Sequence, residues 1–262
     1  MFPGNRFTGR FIPINDRVYL WRISSLQPQF IVDHLTELLS QSERKRAENF
    51  HFASDQRRFI VRRGLLRIIL GMVLGLPPED FFLSYSTYGK PFIALDSEIN
   101  FNLSSSGEFA VIAIAKNREI GVDIERKIPL SDMQQIAKHY FSPNEYVQWQ
   151  KGEDHQQIDM FYRLWTCKEA LVKALGVGLS LPLENIDITF NADSIPHLAF
   201  KDWSRETSQW GLFPLDITPG YSACLAADLR KYPLVGRYEN PFHQVSLQMA
   251  NHAVEVALAE VI

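Results

Sequence analysis

The sequence predicts an α+β fold divided into two halves, on three observations. Short strand patterns and longer helical patterns occur on both sides of a short polar segment at 115–119. The order of elements after this segment partly repeats the order before it. Hydrophobic residues make up 46% of the 262 positions, which is enough to bury a substantial core. The polar segment is therefore the expected boundary between an N-terminal half at 1–117 and a C-terminal half at 118–262.

The first half combines short strands with two amphipathic helices, predicted at 29–46 and 57–74. The second helix carries a continuous apolar stripe and ends before Pro77 and Pro78, which cannot continue it. A turn at 88–91 separates two short strand candidates. The predicted strands of this half are 18–23, 81–85, 92–95 and 109–114.

The second half opens on a strand at 120–125 and continues into helices. One is predicted at 131–141, another begins at Ser142, and a third covers 161–175. Gly176 follows the last apolar position of that third helix, as glycine often does at a helix C-terminus. The remaining strands are predicted near 186–190, 197–200, 212–217 and 221–227, and the tail 239–262 is predicted as an extra helix.

Composition excludes several classes of protein. The formal net charge of −3 is not that of a globally basic nucleic-acid-coating protein, so we expect no nucleic-acid partner. The two cysteines are too few for a disulfide framework or a zinc cluster, which fits a reducing compartment. No apolar run of about 18 residues and no secretory h-region occur. We therefore expect a soluble, cytoplasmic protein without a membrane partner.

Two carboxylates occupy one strand at 120–125. Asp123 and Glu125 are two residues apart, so both point to the same face of that strand. Such a pair is more often a solvated strand edge than a site. Here the flanking residues are strongly apolar, and Gly121 lets another chemical group approach the backbone closely. These features favour a functional site.

A third carboxylate, Glu169, lies on the predicted helix 161–175. Glu169 and Lys173 are spaced i,i+4 and share a helix face, which by itself indicates a surface ion pair. Trp165 lies one turn earlier and borders the pair with an aromatic wall. Three such carboxylates, if they converge, suit a hard divalent cation that also binds phosphate.

Basic residues concentrate in the first half. Five arginines between 57 and 67 crowd one helix, and three more basic residues at 44–46 precede it. A solvated helix face is the ordinary explanation, but arginines beside an apolar stripe also suit phosphate groups. Lys90 lies in a turn before Pro91, which restricts its backbone. The serine run at 104–106, followed by Gly107, could form a small phosphate-binding nest.

Taken in order, five segments resemble one family, the 4′-phosphopantetheinyl transferases of the surfactin-synthetase-activating type. The resemblance extends from about 43 to 232. The segments are Tyr-Gly-Lys-Pro at 88–91, Phe-Asn-Leu-Ser-Ser-Ser-Gly at 101–107, Ile-Gly-Val-Asp-Ile-Glu at 120–125, Phe-Tyr-Arg-Leu-Trp-Thr-Cys-Lys-Glu-Ala-Leu-Val-Lys at 161–173, and Gly-Leu-Ser-Leu-Pro-Leu at 178–183.

The resemblance implies an activity and an architecture. The enzyme would move the phosphopantetheine arm of coenzyme A onto a serine of an apo acyl or peptidyl carrier protein, releasing adenosine 3′,5′-bisphosphate, with Mg²⁺ as cofactor. The fold would be α+β with two pseudo-symmetric halves, each a helix packed on a small antiparallel sheet. The active site would lie in the cleft between the halves. Large members of the family are generally monomers, so a monomer is expected.

The resemblance also assigns roles by matched position. Asp123, Glu125 and Glu169 would hold Mg²⁺. Glu169, or a water that it orients, is a candidate base for the serine hydroxyl, and Glu145 matches another acidic position given a catalytic or metal-binding role. Lys173 would stabilise the transferring group. The expected coenzyme A contacts are Arg46, Arg63, Lys90, Ser104, Ser105, Lys168 and Lys173.

One position departs from the family pattern. Many members have histidine, a 3′-phosphate contact, where this chain has Ser105. A serine offers one neutral hydrogen bond where a histidinium adds charge, so weaker discrimination for the 3′-phosphate is expected unless nearby arginines compensate. Two other functions stay open from the residues alone. One is a metal-dependent nucleotide phosphohydrolase, and the other is a non-catalytic module that binds carrier proteins or nucleotides.

Overall fold

The computed structural model describes residues 17–95, 97–201 and 209–230. The tail helix predicted at 239–262 therefore lies outside the described residues. Within the described residues, no helix combines the length and the apolarity that crossing a membrane requires. The N-terminal half contains β1 (Val18–Ser24), α1 (Gln29–Glu37), α2 (Gln41–Glu48), α3 (Ala53–Leu74), β2 (Leu83–Tyr85), β3 (Pro91–Ile93), β4 (Ile99–Ser106) and β5 (Phe109–Lys116).

In the part of the chain that the structure describes, the C-terminal half has the same order of helices and strands as the N-terminal half: one strand, three helices and four strands. Two single turns of 3₁₀-helix, at 178–180 and 183–185, connect its longest helix to the next strand. Its elements are β6 (Ile120–Arg126), α4 (Met133–Tyr140), α5 (Pro143–Gln150), α6 (Asp154–Leu175), β7 (Ile186–Phe190), β8 (Pro196–Phe200), β9 (Trp210–Pro214) and β10 (Tyr221–Asp228).

Each half contains one three-stranded antiparallel sheet covered by one long helix. The order in the first sheet is β1-β5-β4, and the order in the second is β6-β10-β9. Helix α3 packs on the first sheet and α6 on the second, each over its own apolar cluster. Two small hairpins, β2-β3 and β7-β8, complete the described fold. The α+β architecture predicted from the sequence is confirmed.

A third apolar cluster joins the two sheets. It is formed by the strand faces that do not contact α3 or α6, and it includes Val111 on β5 and Val122 on β6. Because β5 is buried on both faces, it reads as the continuous apolar run that the sequence shows at 109–115. The edge strand β4 of the first half also lies against β6 of the second half, where the side-chain Oδ1 of Asn102 accepts a 2.8 Å hydrogen bond from the amide of Val122.

One sequence prediction is wrong in detail, and one observed strand has no predicted counterpart. The single helix predicted at 29–46 is two helices, because Ser40 caps α2. Its hydroxyl accepts the amide of Glu43, while the Glu43 carboxylate accepts the amide of Ser40. The segment 99–106 was given no secondary structure by the sequence, yet it forms strand β4. The polar residues of this segment do not give the apolar alternation expected of a strand. Several of their side chains have hydrogen-bond partners in the other half of the molecule.

Gly121 shows why α6 can approach β6 so closely. A Cβ at this position would lie 2.1 Å from the carbonyl oxygen of Ala170 and 2.3 Å from the amide nitrogen of Ala174. Both are backbone atoms of α6, so they cannot rotate away. Close approach to Gly121 was predicted from the sequence, and the approaching group is the helix backbone.

We expect Gly121→Ala to destabilise the protein by about 3 kcal/mol, because the added methyl group forces strand and helix apart. Chemical denaturation measures the change in free energy of unfolding. Gly152→Ala is the control, since its Cβ would meet the side chain of Gln156 at 3.2 Å rather than backbone at 2.1 Å. Equal stability of the two variants would contradict this account of the helix–strand contact.

Candidate functional site

The close contact of β6 and α6 brings together the three carboxylates singled out in the sequence. Asp123 and Glu125 lie on β6 and point to the same side of the strand. Glu169 lies on α6, which packs against β6. The pKa of Glu169 is raised by burial and by the charge of Asp123. The pKa of Glu125 is raised by burial and, in smaller part, by the charges of Asp123 and Glu169. The three groups therefore share one electrostatic neighbourhood.

Asp123 is the most enclosed of the three, with 2% of the residue exposed. Its Oδ1 accepts a 2.6 Å hydrogen bond from the Lys173 ammonium and a 2.8 Å hydrogen bond from the Ser104 hydroxyl. Its Oδ2 is buried and finds no hydrogen-bond partner among the described residues. A buried carboxylate oxygen without a donor is costly, so this atom is suited to a ligand that supplies positive charge.

Glu125 is held by a similar contact, since its Oε2 accepts a 2.7 Å hydrogen bond from the Ser106 hydroxyl. The hydroxyls of Ser104 and Ser106 thus lie opposite Asp123 and Glu125, strand against strand. The serines come from β4 in the N-terminal half and the carboxylates from β6 in the C-terminal half. The carboxylate cluster, defined as Asp123, Glu125 and Glu169, is therefore built across the boundary between the halves.

The donor set fits a hard divalent cation, because it consists of carboxylate oxygens, one of them unpaired and buried. Across the described ranges, however, no three His, Cys, Asp or Glu side chains are already arranged as a metal cage. Lys173 and Ser104 both donate to Oδ1 of Asp123, and Ser106 donates to Oε2 of Glu125, so Oδ2 of Asp123 is the oxygen left without a donor among the described residues. Metal binding by these residues stays a prediction.

A basic cleft of about 370 Å³ lies in the N-terminal half, between α3 and the turn before β3. Arg46 and Arg63 both lie near the Phe59 ring, 5.3 Å and 5.8 Å from its centroid. The Nη1 of Arg63 is buried and has no hydrogen-bond partner within the described part of the chain. The charged, polar and aromatic side chains that line this cleft include Arg46, Asp55, Arg58, Phe59, Arg62, Arg63, Tyr85 and Ser105.

Strand β4 connects the basic cleft to the carboxylate cluster. Ser104 and Ser106 point toward the carboxylates, whereas Ser105 lines the basic cleft. Neighbouring residues on a strand are about 3.3 Å apart along the chain and point to opposite faces. The basic cleft and the carboxylate cluster therefore lie on opposite faces of β4.

The arginines of α3 have different surroundings, although the sequence presents them as one group. Arg67 is buried and donates to the Glu43 carboxylate at 2.6 Å and to the carbonyl of Pro78 at 2.7 Å. Arg57 donates to Gln29 and to the carbonyl of Gln27. Both are structural. The other three arginines line the basic cleft.

Lys90 occupies a position that the sequence could not reveal. Its ammonium lies 3.3 Å from the carbonyl oxygens of Ile120 and Ala174 and 3.4 Å from Glu119 Oε2. Burial lowers its pKa. The side chain thus links the turn before β3 to the C-terminal half. A neighbour in that turn, Gly89, lines the basic cleft instead.

Glu145 and Lys168 are not brought to the carboxylate cluster. They form an ion pair of 2.8 Å in which both side chains are 0% exposed. Glu145 also accepts the amides of Ser142 and Ile188, each at 2.7 Å. Burial is the first cause both of the raised pKa of Glu145 and of the lowered pKa of Lys168. The carboxylate cluster contributes to neither shift. The geometry supports a structural role, and the catalytic and coenzyme roles expected for them stay predictions without support here.

Three residues of the site were not assigned a role from the sequence. Arg58 and Arg62 were noted only as members of an arginine-rich helix, and Ser106 only as part of a serine run. The spacing i,i+4 of the two arginines, which places them on one helix face, was the available signal. For Ser106, the available signal was its spacing: Ser104 and Ser106 are two residues apart, as are Asp123 and Glu125.

Comparison with known proteins matches two family models to consecutive parts of the chain. The model described as the 4′-phosphopantetheinyl transferase superfamily matches residues 119–226. The model described as 4′-phosphopantetheinyl transferase, N-terminal, matches residues 22–117. The matched regions include the carboxylate cluster and the basic cleft, respectively.

Individual relatives carry the same name. The chain is 41% identical over 178 residues to the 4′-phosphopantetheinyl transferase HetI of Nostoc sp., which covers 67% of this chain and 75% of that protein. It is 29% identical over 201 residues to the 4′-phosphopantetheinyl transferase Sfp of Bacillus subtilis, covering 77% of this chain and 87% of that protein. Among solved structures, holo-[acyl-carrier-protein] synthase from Neisseria meningitidis matches 42% of this chain and 96% of that chain, with 20% identity and a TM-score of 0.35.

Proposed function

Because the chain belongs to the 4′-phosphopantetheinyl transferase superfamily, we propose that it transfers the phosphopantetheine arm of coenzyme A to a serine of an apo acyl or peptidyl carrier protein. The carrier serine oxygen forms a new bond to phosphorus, and the bond to the bridging oxygen of the diphosphate breaks. Adenosine 3′,5′-bisphosphate leaves with that oxygen, and the serine proton passes to a base.

One observation carries this proposal: the buried, unpaired Oδ2 of Asp123 lies in a carboxylate cluster on one face of β4, and a basic cleft lies on the other. Acidic and basic groups on two sides of one strand suit a substrate that carries a diphosphate and a separate phosphate. Coenzyme A is such a molecule. A simple nucleotide hydrolase would have less need of the second, arginine-lined site.

Asp123, Glu125 and Glu169 would hold Mg²⁺, which would neutralise negative charge on the diphosphate. Lys173, whose ammonium lies 2.6 Å from Oδ1 of Asp123, would stabilise the oxygen atoms of the transferring group. Ser104 orients Asp123 through its 2.8 Å hydrogen bond. The three carboxylates would thus act with one lysine that the structure already places among them.

We assign the role of base to Glu169 or to a water that Glu169 orients. In the absence of a metal ion, burial and the charge of Asp123 raise the pKa of this carboxyl, and a carboxylate within hydrogen-bond reach of a hydroxyl can accept its proton. Glu145 is a weaker candidate, because both of its oxygens already accept hydrogen bonds from backbone amides, and the pair it forms with Lys168 is fully enclosed.

The basic cleft would hold the adenosine end of coenzyme A. Arg46 and Arg63 flank an aromatic ring and would contact phosphate oxygens, and the buried Nη1 of Arg63 has a donor to offer. Ser105 lines the same cleft. Lys90 would act indirectly, by holding the turn that lines the cleft against the C-terminal half.

The two halves, 1–117 and 118–262, would work as one unit, because serines of one half hold carboxylates of the other. A chain that carries both halves has no need of a second copy to complete the site. We therefore assign it to the surfactin-synthetase-activating type and expect a cytoplasmic monomer. Light scattering on a sizing column should give a mass near 30.2 kDa, and a dimer mass would contradict this assignment.

The proposed reaction is tested by incubating the protein with coenzyme A, Mg²⁺ and several apo carrier proteins, followed by intact-mass spectrometry. The carrier should gain about 340 Da, the mass of the transferred arm. Chelation of the divalent cation should stop the gain, and excess Mg²⁺ should restore it. Release of adenosine bisphosphate without any carrier would instead identify a hydrolase.

A further inference from the structure

Arg62 is held in one orientation at the wall of the basic cleft. Its Nη1 donates to the hydroxyl of Ser105 at 2.8 Å, its Nη2 to the carbonyl of Gly107 at 2.8 Å, and its Nε to the hydroxyl of Ser25 at 3.0 Å. A guanidinium has five N–H donors, so two of them are left over after these bonds. A side chain fixed in this way loses little further entropy when it binds a ligand.

The charge of Arg62 is only partly offset by the protein, through the Asp55 carboxylate that lines the same cleft. Among the described residues, no carboxylate lies within 4 Å of its guanidinium, the distance of an ion pair. Arg58, one turn earlier, adds a second positive charge, although its Nη1 pairs with Asp55 Oδ1 at 3.0 Å. The pKa of Arg62 is lowered first by burial and then by Arg58, and the charge of Asp55 acts in the opposite direction. Two arginines on one side of a cleft, with spare donors, favour an anion that has several oxygen atoms.

We propose that Arg62, oriented by Ser105, recognises the 3′-phosphate of coenzyme A, an inference that rests on the proposed function. The hydroxyl of Ser105 accepts from Arg62, which leaves its own proton free to donate to the same phosphate. The positive charge comes from α3 rather than from position 105 itself. Serine at position 105 therefore does not imply poor discrimination, because the neighbouring helix supplies the charge.

The proposal is tested by calorimetric titration with adenosine 3′,5′-bisphosphate and with adenosine 5′-monophosphate, without any carrier protein. These two ligands differ in the 3′-phosphate alone. The wild-type protein should bind the bisphosphate tighter by about tenfold or more. Arg62→Met should bring the two affinities to a ratio near one, while changing the affinity for the monophosphate by less than about threefold. Arg62→Lys should recover part of the ratio, since it keeps the charge but not the planar fork.

Two further variants distinguish a loss of phosphate recognition from a general loss of folded protein. Ser105→Ala removes one half-exposed hydroxyl and should lower the ratio by about threefold, because Arg62 loses one of its three anchors. Arg57→Gln is the matched control. Arg57 lies on the same helix, but its guanidinium donates to Gln29 and to the carbonyl of Gln27 and does not line the cleft. Its ratio should equal that of the wild type.

Three outcomes would overturn the proposal: a wild-type ratio near one, an unchanged ratio in Arg62→Met, or an equal loss of both ligands in that variant. The last would show that Arg62 supports the loop at 105–107 without contacting phosphate. The proposed transfer reaction is judged separately by carrier mass. A protein that prefers the bisphosphate through Arg62 but modifies no carrier would overturn the proposed function and leave this inference standing.

Discussion

Asp123→Asn is expected to lower kcat/KM for carrier modification by about 10³-fold or more, a loss of about 4 kcal/mol of transition-state stabilisation. The substitution keeps the shape of the side chain but removes the negative charge. Asparagine still accepts one hydrogen bond through its oxygen, so the contact with Ser104 can survive. What is lost is the charge that pairs with Lys173 and would bind the cation. Initial rates measured by carrier mass, over a range of Mg²⁺ concentrations, test this.

A second readout does not depend on activity. Mg²⁺ should raise the melting temperature of the wild-type protein, because it relieves repulsion among three partly buried carboxylates. Asp123→Asn should lose most of this shift. Asp159→Asn is the matched control, since Asp159 also lies on α6 and pairs with a lysine, but its side chain is 51% exposed. Activity within tenfold of wild type for Asp123→Asn would contradict the assignment.

The carboxylate cluster shows how far sequence patterns extend. The period of two in a strand placed Asp123 and Glu125 on one side, and the i,i+4 spacing placed Glu169 beside Lys173. Both rules are local, and they need no knowledge of the rest of the chain. The serines that hold these carboxylates come from β4, 19 residues earlier in the chain. No local rule gives that pairing, because it depends on the packing of one half against the other.

Position 168 shows where the local rules and the motif give different answers. Lys168 and Glu169 are adjacent, and adjacent residues on a helix point about 100° apart. Glu169 therefore faces the cluster while Lys168 enters the core, where its ammonium donates to the carbonyls of Leu183 and Ile186 at 2.7 Å and 2.6 Å. The motif assigned both residues to the site as a unit. Helical geometry, applied strictly, would have separated them.

Lys168→Met is expected to destabilise the protein by about 3–5 kcal/mol, the usual cost of removing one partner from a buried ion pair. The variant leaves the Glu145 carboxylate enclosed without its cation, and two carbonyls lose a donor. Folded protein should nevertheless keep its KM for coenzyme A within about threefold, because the side chain does not line the basic cleft. Chemical denaturation and carrier-modification kinetics measure the two quantities separately.

The double variant Lys168→Met/Glu145→Gln distinguishes an uncompensated charge from lost packing. Glutamine removes the charge left behind and still accepts one of the two backbone amides that bind Glu145, so the double variant should be more stable than Lys168→Met alone. Lys151→Met, at the exposed residue that follows α5, should change stability by less than about 0.5 kcal/mol. A large rise in KM for coenzyme A in folded Lys168→Met, without loss of stability, would instead place Lys168 at the coenzyme, since only direct contact weakens binding and leaves the core intact.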